Sequence, residues 1–488
     1  MTALAITGCT PESSQTATTP KIEDKSLPHG MSAIRQSGEL VVLTVNSPTT
    51  YRERSGEPHG YEVELTQALA DDLDVRPVYR VFKSYSRLAE AIENGEGHIA
   101  APGLSQRELR MTTDDEVPLF GPAYKTVKTR TVCHRDGARP SSVEDLTELK
   151  LGVVNGSGNE LTLEEVREDV PDLKWRSLDV SSGMKLADMV HERDLDCAII
   201  DSNVTAIARR KYPDLSIRVD LTNRDSQLAW RIARESSDLI AYLKPWFQKA
   251  HQEGLLSELD EQFYGHLEFF DYVEMSTFRD RIESRLPRFE DEFRDAAGSN
   301  NLDWTLLASQ GYQESHWNPT AKSPTGVRGI MMLTLPTARE VGVENRLDPT
   351  ESIHGGAAYL NRLYDRLPDS VTGYDRLWIA LAAYNVGYGH VLDARRLARQ
   401  QGLDDSKWRN IRDMLPLLTK PEFYNKVKYG YARGYEPVQY VQRIREYDEA
   451  LTQNVDRPEQ PPFQIVSRTD DEAGEDAGPA SGTGAGEP

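Results

Sequence analysis

The sequence predicts a chain of two structural classes, an α/β module followed by an all-α domain, flanked by low-complexity ends. Three observations lead there. From about 35 to 267, short apolar strand-like runs alternate with amphipathic helical segments, the pattern of an α/β region with a largely parallel sheet. From about 275 to 456, strand signals nearly vanish, and helical stripes separated by Gly, Pro, Asn and Asp loops take over. The 488 residues are 38% hydrophobic and 28% charged, enough apolar material for real cores in more than one domain.

In chain order, Leu40–Val45 reads as a buried strand and Glu62–Leu73 as an amphipathic helix through Leu65, Ala68, Leu69 and Leu73. Val78–Phe82 is a strand rich in β-formers. Tyr85–Asn94 is a helix with Leu88, Ala91 and Ile92 on one face, and Ile99–Ala101 is a strand. Leu151–Val154 and Cys197–Ile200 are further strands, each beside a helical segment. The class changes near residue 270, with Phe269–Tyr272 at the junction. These marks divide the chain into a leader and tether (1–34), the α/β module (35–267), the helical domain (268–456) and an acidic, Gly/Ala-rich tail (457–488) expected to be disordered.

A formal charge of −21 excludes a nucleic-acid partner, which needs clustered Lys and Arg, and a basic membrane-binding face. No apolar run of transmembrane length occurs. Of three cysteines, Cys133 and Cys197 are expected as separate buried thiols rather than a bridge, since so sparse a set is a poor disulfide framework. Cys9 ends the apolar stretch Ala3–Cys9 before a Ser/Thr/Pro-rich segment, and Ile6-Thr7-Gly8-Cys9 resembles a bacterial lipobox, although the lead-in is short and lacks a basic start. Cys9 is thus the lipidation candidate and the one membrane attachment expected; it implies a periplasmic protein held on the inner face of the outer membrane.

The chemistry concentrates after residue 300. Asp303 is placed to cap a helix in which Trp304, Leu307, Ala308 and Gly311 form one stripe. Glu314 lies seven residues beyond Leu307 and falls on the same inward face, where burial raises a carboxyl pKa and prepares a general acid. Gly311 leaves room for another segment or a sugar. The helix Leu377–Asn385 stops at Gly387, a residue suited to a left-handed terminus, so Tyr384 and Asn385 emerge at a helix end. Pro437 opens a last helix whose inward stripe is Tyr440, Ile444, Tyr447 and Leu451. Glu340, Glu344 and Asp348 sit in cap-like and loop-like contexts and supply no compelling second acid. His316, His354 and His390 lack ligand spacing, so no metal and no cofactor is expected.

Taken together, Glu314-Ser315, Gly329-Ile330-Met331-Met332, Ala382-Ala383-Tyr384-Asn385 and Tyr440-Val441 resemble, in order, the motifs of the soluble lytic transglycosylase family with its goose-type lysozyme-like fold. The resemblance implies cleavage of peptidoglycan glycan strands by one carboxylate, Glu314, acting as acid and then base. It implies substrate contacts at Ser315, Ser323, Met331, Tyr384, Asn385 and Tyr440. Ser323 and Tyr440 match positions that orient a sugar acetamido group and the catalytic carboxyl. Met332 stands where the family has Gln, which removes a polar sugar contact. A hydrolytic muramidase and a ligand receptor with a wall-binding helical domain are the competing functions.

The α/β module is similar to family 3 solute-binding proteins through Gly60-Tyr61-Glu62, Ala100–Ser105 followed by Arg107 and Arg110, and Ile199-Ile200-Asp201-Ser202. That similarity implies a two-lobed periplasmic-binding-protein-like module ahead of the all-α lysozyme-like domain. One of Arg107 and Arg110 would clamp a ligand carboxylate, and Asp201, otherwise a helix cap, would receive an amino group. An amino acid or wall-derived muropeptide fits such a pair, as a regulator of the Glu314 cleft.

Overall fold

A computed structural model describes residues 27–54, 57–103, 118–222, 224–267, 271–324 and 326–454. Cys9, Arg107, Arg110 and the expected tail lie outside them. No described helix is long and apolar enough to cross a membrane.

The α/β module has two lobes, each built on a five-stranded sheet. In the first, Glu39–Val45 runs parallel to Arg76–Phe82 on one side and Ile99–Ala100 on the other. Six of the seven residues of Glu39–Val45 are buried, as an apolar run covered on both faces requires. In the second lobe, Leu151–Val154 runs parallel to Arg176–Leu178 and Cys197–Asp201. The sheets are less parallel than the sequence suggested. The chain enters the second lobe on Thr129–His134 and returns to the first on Arg231–Ile232, and both strands pair antiparallel. The two crossings, Lys125–Val127 and Ser226–Leu228, pair with each other. The short helix Met31–Ser37 crosses the expected boundary at 35, and its one fully buried side chain, Ile34, is too isolated in the sequence to reveal this.

The pairing of Thr129–His134 with Cys197–Asp201 overturns the expectation of two separate thiols. Cys133 stands opposite Cys197 in the register, and the two form a disulfide. Sequence spacing could not reveal this, because the strands that bring them together are 64 residues apart.

Beyond residue 271 the described chain is helical, apart from isolated bridges at Lys322, Arg328 and Leu333. The helix Trp304–Ser315 runs through the middle of this domain, with every residue from Trp304 to Tyr312 buried. Asp303 caps it as expected, accepting from the Thr305 N–H at 2.8 Å. A side chain on Gly311 would strike the Phe293 ring, so its small size admits a core aromatic rather than a sugar. Gly387 has a positive φ of 93° but an extended ψ of 140°, and it joins two helices instead of closing one in the left-handed region.

The final helix, Tyr435–Asn454, packs against both the Glu314 helix and Ser202–Lys211 of the second lobe. Ion pairs line the junction between module and domain. Arg445, buried against the Trp378 ring, donates to the Glu261 carboxylate at 2.9 Å; Arg412 reaches the same carboxylate at 2.6 Å, and Lys407 reaches Glu258 at 3.0 Å. Arg210, at the end of Ser202–Lys211, pairs with Glu446 at 3.5 Å. The Arg445 and Arg210 pairs are the buried ones, and buried pairs add little net stability once desolvation is counted.

Candidate active site

Glu314 sits in the last turn of its helix, partly covered. Tyr440, on the final helix, donates its hydroxyl to Glu314 Oε1 at 2.5 Å, and the Gln310 amide donates to the Tyr440 oxygen at 3.2 Å. Gln310 occupies the position one turn before Glu314, so helix geometry presents both to the same tyrosine. Burial pushes the Glu314 pKa up to about 8, and the Tyr440 hydrogen bond pulls it back only in part. At neutral pH the carboxyl therefore holds its proton, while a donor stands ready to stabilise the carboxylate once that proton leaves.

The neighbouring loop is held by residues expected to touch substrate. The Ser315 hydroxyl donates to the Ile330 carbonyl at 2.8 Å, and the Tyr384 hydroxyl donates to the Met331 carbonyl at 2.9 Å. The Met331 N–H donates to Ser352 Oγ at 3.2 Å. The Met331 side chain is fully buried in the core. Its expected place in the cleft is thus corrected: it contributes a carbonyl to the loop, and a side chain to packing against Gly311 and Gly356. Met332 is the more exposed of the pair and takes a positive φ of 47°. Ser323 lies in the turn leading in, where its N–H donates to the Val327 carbonyl and its carbonyl accepts from Gly326. Asn385 is exposed at the end of its helix. The structure thus brings Glu314, Tyr440, Tyr384 and Ser315 around one loop. Gln310 is the member that sequence reasoning missed, although an amide one turn before Glu314 is a visible signal.

Of the other acids, two are occupied elsewhere and Glu344 is exposed to solvent. Glu340 pairs with Arg362 at 2.7 Å, Asp348 caps a helix through the Glu351 N–H, and the Glu344 N–H is held by Glu351. Among the histidines, His316 closes the Glu314 helix, His354 faces Asp295 at 3.4 Å and His390 lies edge-on to Tyr429.

One cluster was not foreseen. His134 and His191 converge on Asp214 Oδ2 at 3.0 and 2.7 Å, spacing that suits a metal ion. Metal-bound histidines ordinarily donate their second nitrogen to an acceptor. Here the Asp136 N–H donates to His134 Nδ1, and the Arg279 guanidinium faces His191 Nε2 at 3.2 Å. Each ring therefore carries its proton on the nitrogen that faces Asp214. The group acts as a hydrogen-bond hub that ties the helix Tyr272–Ser284 to the second lobe.

In the module, Asp201 ends its strand just before the helix Ser202–Lys211 but makes no side-chain cap. Burial raises its pKa to about 7 against a hydrogen bond from Asn159, and its Oδ1 has no partner among the described residues. The cap reading is therefore set aside, and an unsatisfied acceptor remains.

Residues 291–407 match the transglycosylase SLT domain, and residues 40–266 match the bacterial extracellular solute-binding proteins, family 3. The chain is 46% identical to a membrane-bound lytic murein transglycosylase F of Maricaulis maris, over 88% of this chain and 92% of that one. It is 41% identical to one from Photobacterium profundum, over 86% and 80% of the respective chains. A solved amino acid ABC transporter substrate-binding protein from Streptococcus pneumoniae, bound to L-arginine, is 24% identical with a TM-score of 0.42, over 49% of this chain and all of that one.

Proposed function

This chain belongs to the membrane-bound lytic murein transglycosylase F family, and from that membership we propose how its residues cut the cell wall. It is a peptidoglycan lytic transglycosylase, with a solute-binding-like module ahead of its SLT domain. The observation that carries the mechanism is the Tyr440–Glu314 pair. Protonated Glu314 gives its proton to the oxygen of the β-1,4 bond between N-acetylmuramic acid and N-acetylglucosamine as the bond to the muramic C1 breaks. The muramic acetamido group assists at C1, as in other substrate-assisted glycosidases. Glu314, now a carboxylate steadied by Tyr440, takes the proton of the muramic 6-hydroxyl, and O6 bonds to C1. The ring closes as a 1,6-anhydro end, the proton balance returns to its start, and no water is consumed. An internal hydroxyl needs no second carboxylate to activate it, because its effective concentration is high.

Ser315 and Tyr384 set the loop that borders the substrate, while Ser323 and Asn385 contact sugar. The test is mass spectrometry of digested sacculi. Anhydro ends, lighter by one water than hydrolysed ends, support this route; only hydrated reducing ends would establish the muramidase reading instead.

The module takes a wall-derived peptide or amino acid whose amino group meets Asp201 and whose carboxylate meets Arg107 or Arg110. The unsatisfied Asp201 oxygen supports this. A regulatory role is supported by the packing of Ser202–Lys211 on the helix that carries Tyr440. The enzyme is periplasmic and membrane-associated, and the Cys133–Cys197 disulfide suits that oxidising compartment. Lipidation of Cys9 would hold it on the inner face of the outer membrane.

A further inference from the structure

The exposed large apolar residues of the described chain are few, and every aromatic one falls in a single stretch: Tyr429, Tyr431 and Tyr435, at 47, 58 and 56% exposure. Isolated exposed apolar residues are ordinary, whereas a cluster of rings marks an interaction surface. This cluster is built rather than loose. The buried Asp393 carboxylate accepts three successive backbone N–H groups, from Lys428 at 3.0 Å, Tyr429 at 2.7 Å and Gly430 at 3.0 Å. The Tyr424 and Tyr431 rings meet edge to face at 5.8 Å.

The stretch is also basic within an acidic chain. From 423 to 435 it holds Lys426, Lys428 and Arg433 and no acidic residue, against a net charge of −21 overall. Lys426 and Lys428 are exposed, and Arg433 pairs with Glu436 just beyond the stretch.

Both ends of this shelf attach to elements of the cleft. The Tyr429 ring lies against Gly389, where a Cβ would come within 2.6 Å of it, four residues past Asn385. Tyr435 opens the helix that carries Tyr440, five residues or about 7.5 Å of helix rise away. The shelf is thus joined at one end to the segment that follows Asn385 and at the other to the helix that carries Tyr440.

We propose that Tyr431, Tyr435, Lys426 and Lys428 form an accessory subsite that grips the peptidoglycan strand outside the scissile pair, the tyrosines against sugar faces and the lysines against stem-peptide carboxylates. The proposal rests on the reading of Glu314 as the glycan-cleaving residue. Sugar faces present C–H groups to aromatic rings, and the lysines supply point charges to carboxylates with salt-dependent strength.

The experiment uses the full chain with three substrates: intact sacculi, glycan strands stripped of peptides by an amidase, and a tetrasaccharide that fills only the cleft. The double variant Tyr431→Ala/Tyr435→Ala is expected to raise KM about tenfold on both polymers and to leave kcat and tetrasaccharide turnover unchanged. Lys426→Glu/Lys428→Glu is expected to raise KM on sacculi alone, with the difference shrinking in high salt. Unchanged KM on both polymers, or an equal loss on polymer and tetrasaccharide, overturns the subsite. Loss of tetrasaccharide turnover in Glu314→Gln separately tests the Glu314 reading, so the two failures look different. Co-sedimentation of Glu314→Gln chains with sacculi, with and without the tyrosine changes, reads the grip without turnover; equal sedimentation also overturns it.

Discussion

Tyr440 and Glu314 are 126 residues apart and share a 2.5 Å hydrogen bond in which the phenol donates. The direction matters. Gln310 donates to the same phenol oxygen, which leaves the tyrosine proton for the carboxylate. The pair therefore favours the ionised form of Glu314 against a burial that opposes it. Tyr440→Phe removes only that donor. The Glu314 pKa, about 8 in the intact pair, should then rise further, and the basic limb of the kcat/KM profile should move to higher pH. The base half of the cycle loses its stabilised carboxylate, so kcat should fall roughly 100-fold. Gln310→Leu should give a smaller loss, about tenfold, in the same direction. A limb that stays in place in Tyr440→Phe would mean that the phenol does not tune the acid.

Glu314→Gln should abolish lytic activity while stabilising the fold in a pH-dependent way. The folded pKa, about 8, lies above that of an unfolded glutamate. The contribution of Glu314 is therefore fully present below about pH 4.3 and is lost progressively as pH rises toward 8, because its unfolded form ionises first. Gln has no charge to suppress, so the variant should gain on the wild type as pH rises through that window, by at most about 5 kcal/mol. Urea melts of both proteins at pH 4 and pH 8 measure the gap. A constant gap would show that Glu314 is not held protonated, and residual lysis by the purified variant would remove it from the mechanism.

What the sequence exposed and what it hid divide along a physical line. The inward position of Glu314 follows from helix periodicity, and the family motifs identify its loop. The role of Met331 does not follow, because adjacent residues on a turn can face core and solvent alternately, and only the fold sets which; Met331 went in and Met332 partly out. Ser315 and Tyr384, expected to touch substrate, bond to backbone carbonyls of that loop, contacts that no side-chain pattern encodes. The antiparallel crossings between lobes, and with them the cysteine pairing, depend on which distant strands meet. Local periodicity is silent on that.

Cys133 and Cys197 close a loop spanning 64 positions between neighbouring strands of the second lobe. Replacing both with Ala should lower the stability of that lobe by about 2–4 kcal/mol, chiefly by freeing the unfolded chain. Differential scanning calorimetry with and without reductant reads this directly. The wild type should lose stability on reduction and the double variant should not respond. Equal melting of oxidised and reduced wild type would exclude a bridge that contributes to stability.

Arg210 and Glu446 provide the sharpest test of communication between module and cleft. Arg210 ends the helix that Asp201 precedes, and Glu446 lies on the helix that carries Tyr440, so one ion pair links the two sites. Asp201→Asn should abolish calorimetric binding of a muropeptide to the intact chain without lowering basal turnover. Arg210→Met should leave that binding in place but weaken its effect on turnover. Coupling energies of this kind are typically about 1–3 kcal/mol, so the ligand should change glycan affinity roughly 5- to 150-fold in the wild type and less in the variant. Linkage requires the reverse effect as well: a bound glycan must shift muropeptide affinity by the same factor. Calorimetry in the presence and absence of a glycan fragment, on chains carrying Glu314→Gln, supplies both sides of the cycle. If the two factors are both unity while muropeptide still binds, the module is a docking element and not a regulator. If they are equal in wild type and Arg210→Met, coupling runs through the remaining contacts of the junction, of which Arg445 with Glu261 is the most buried.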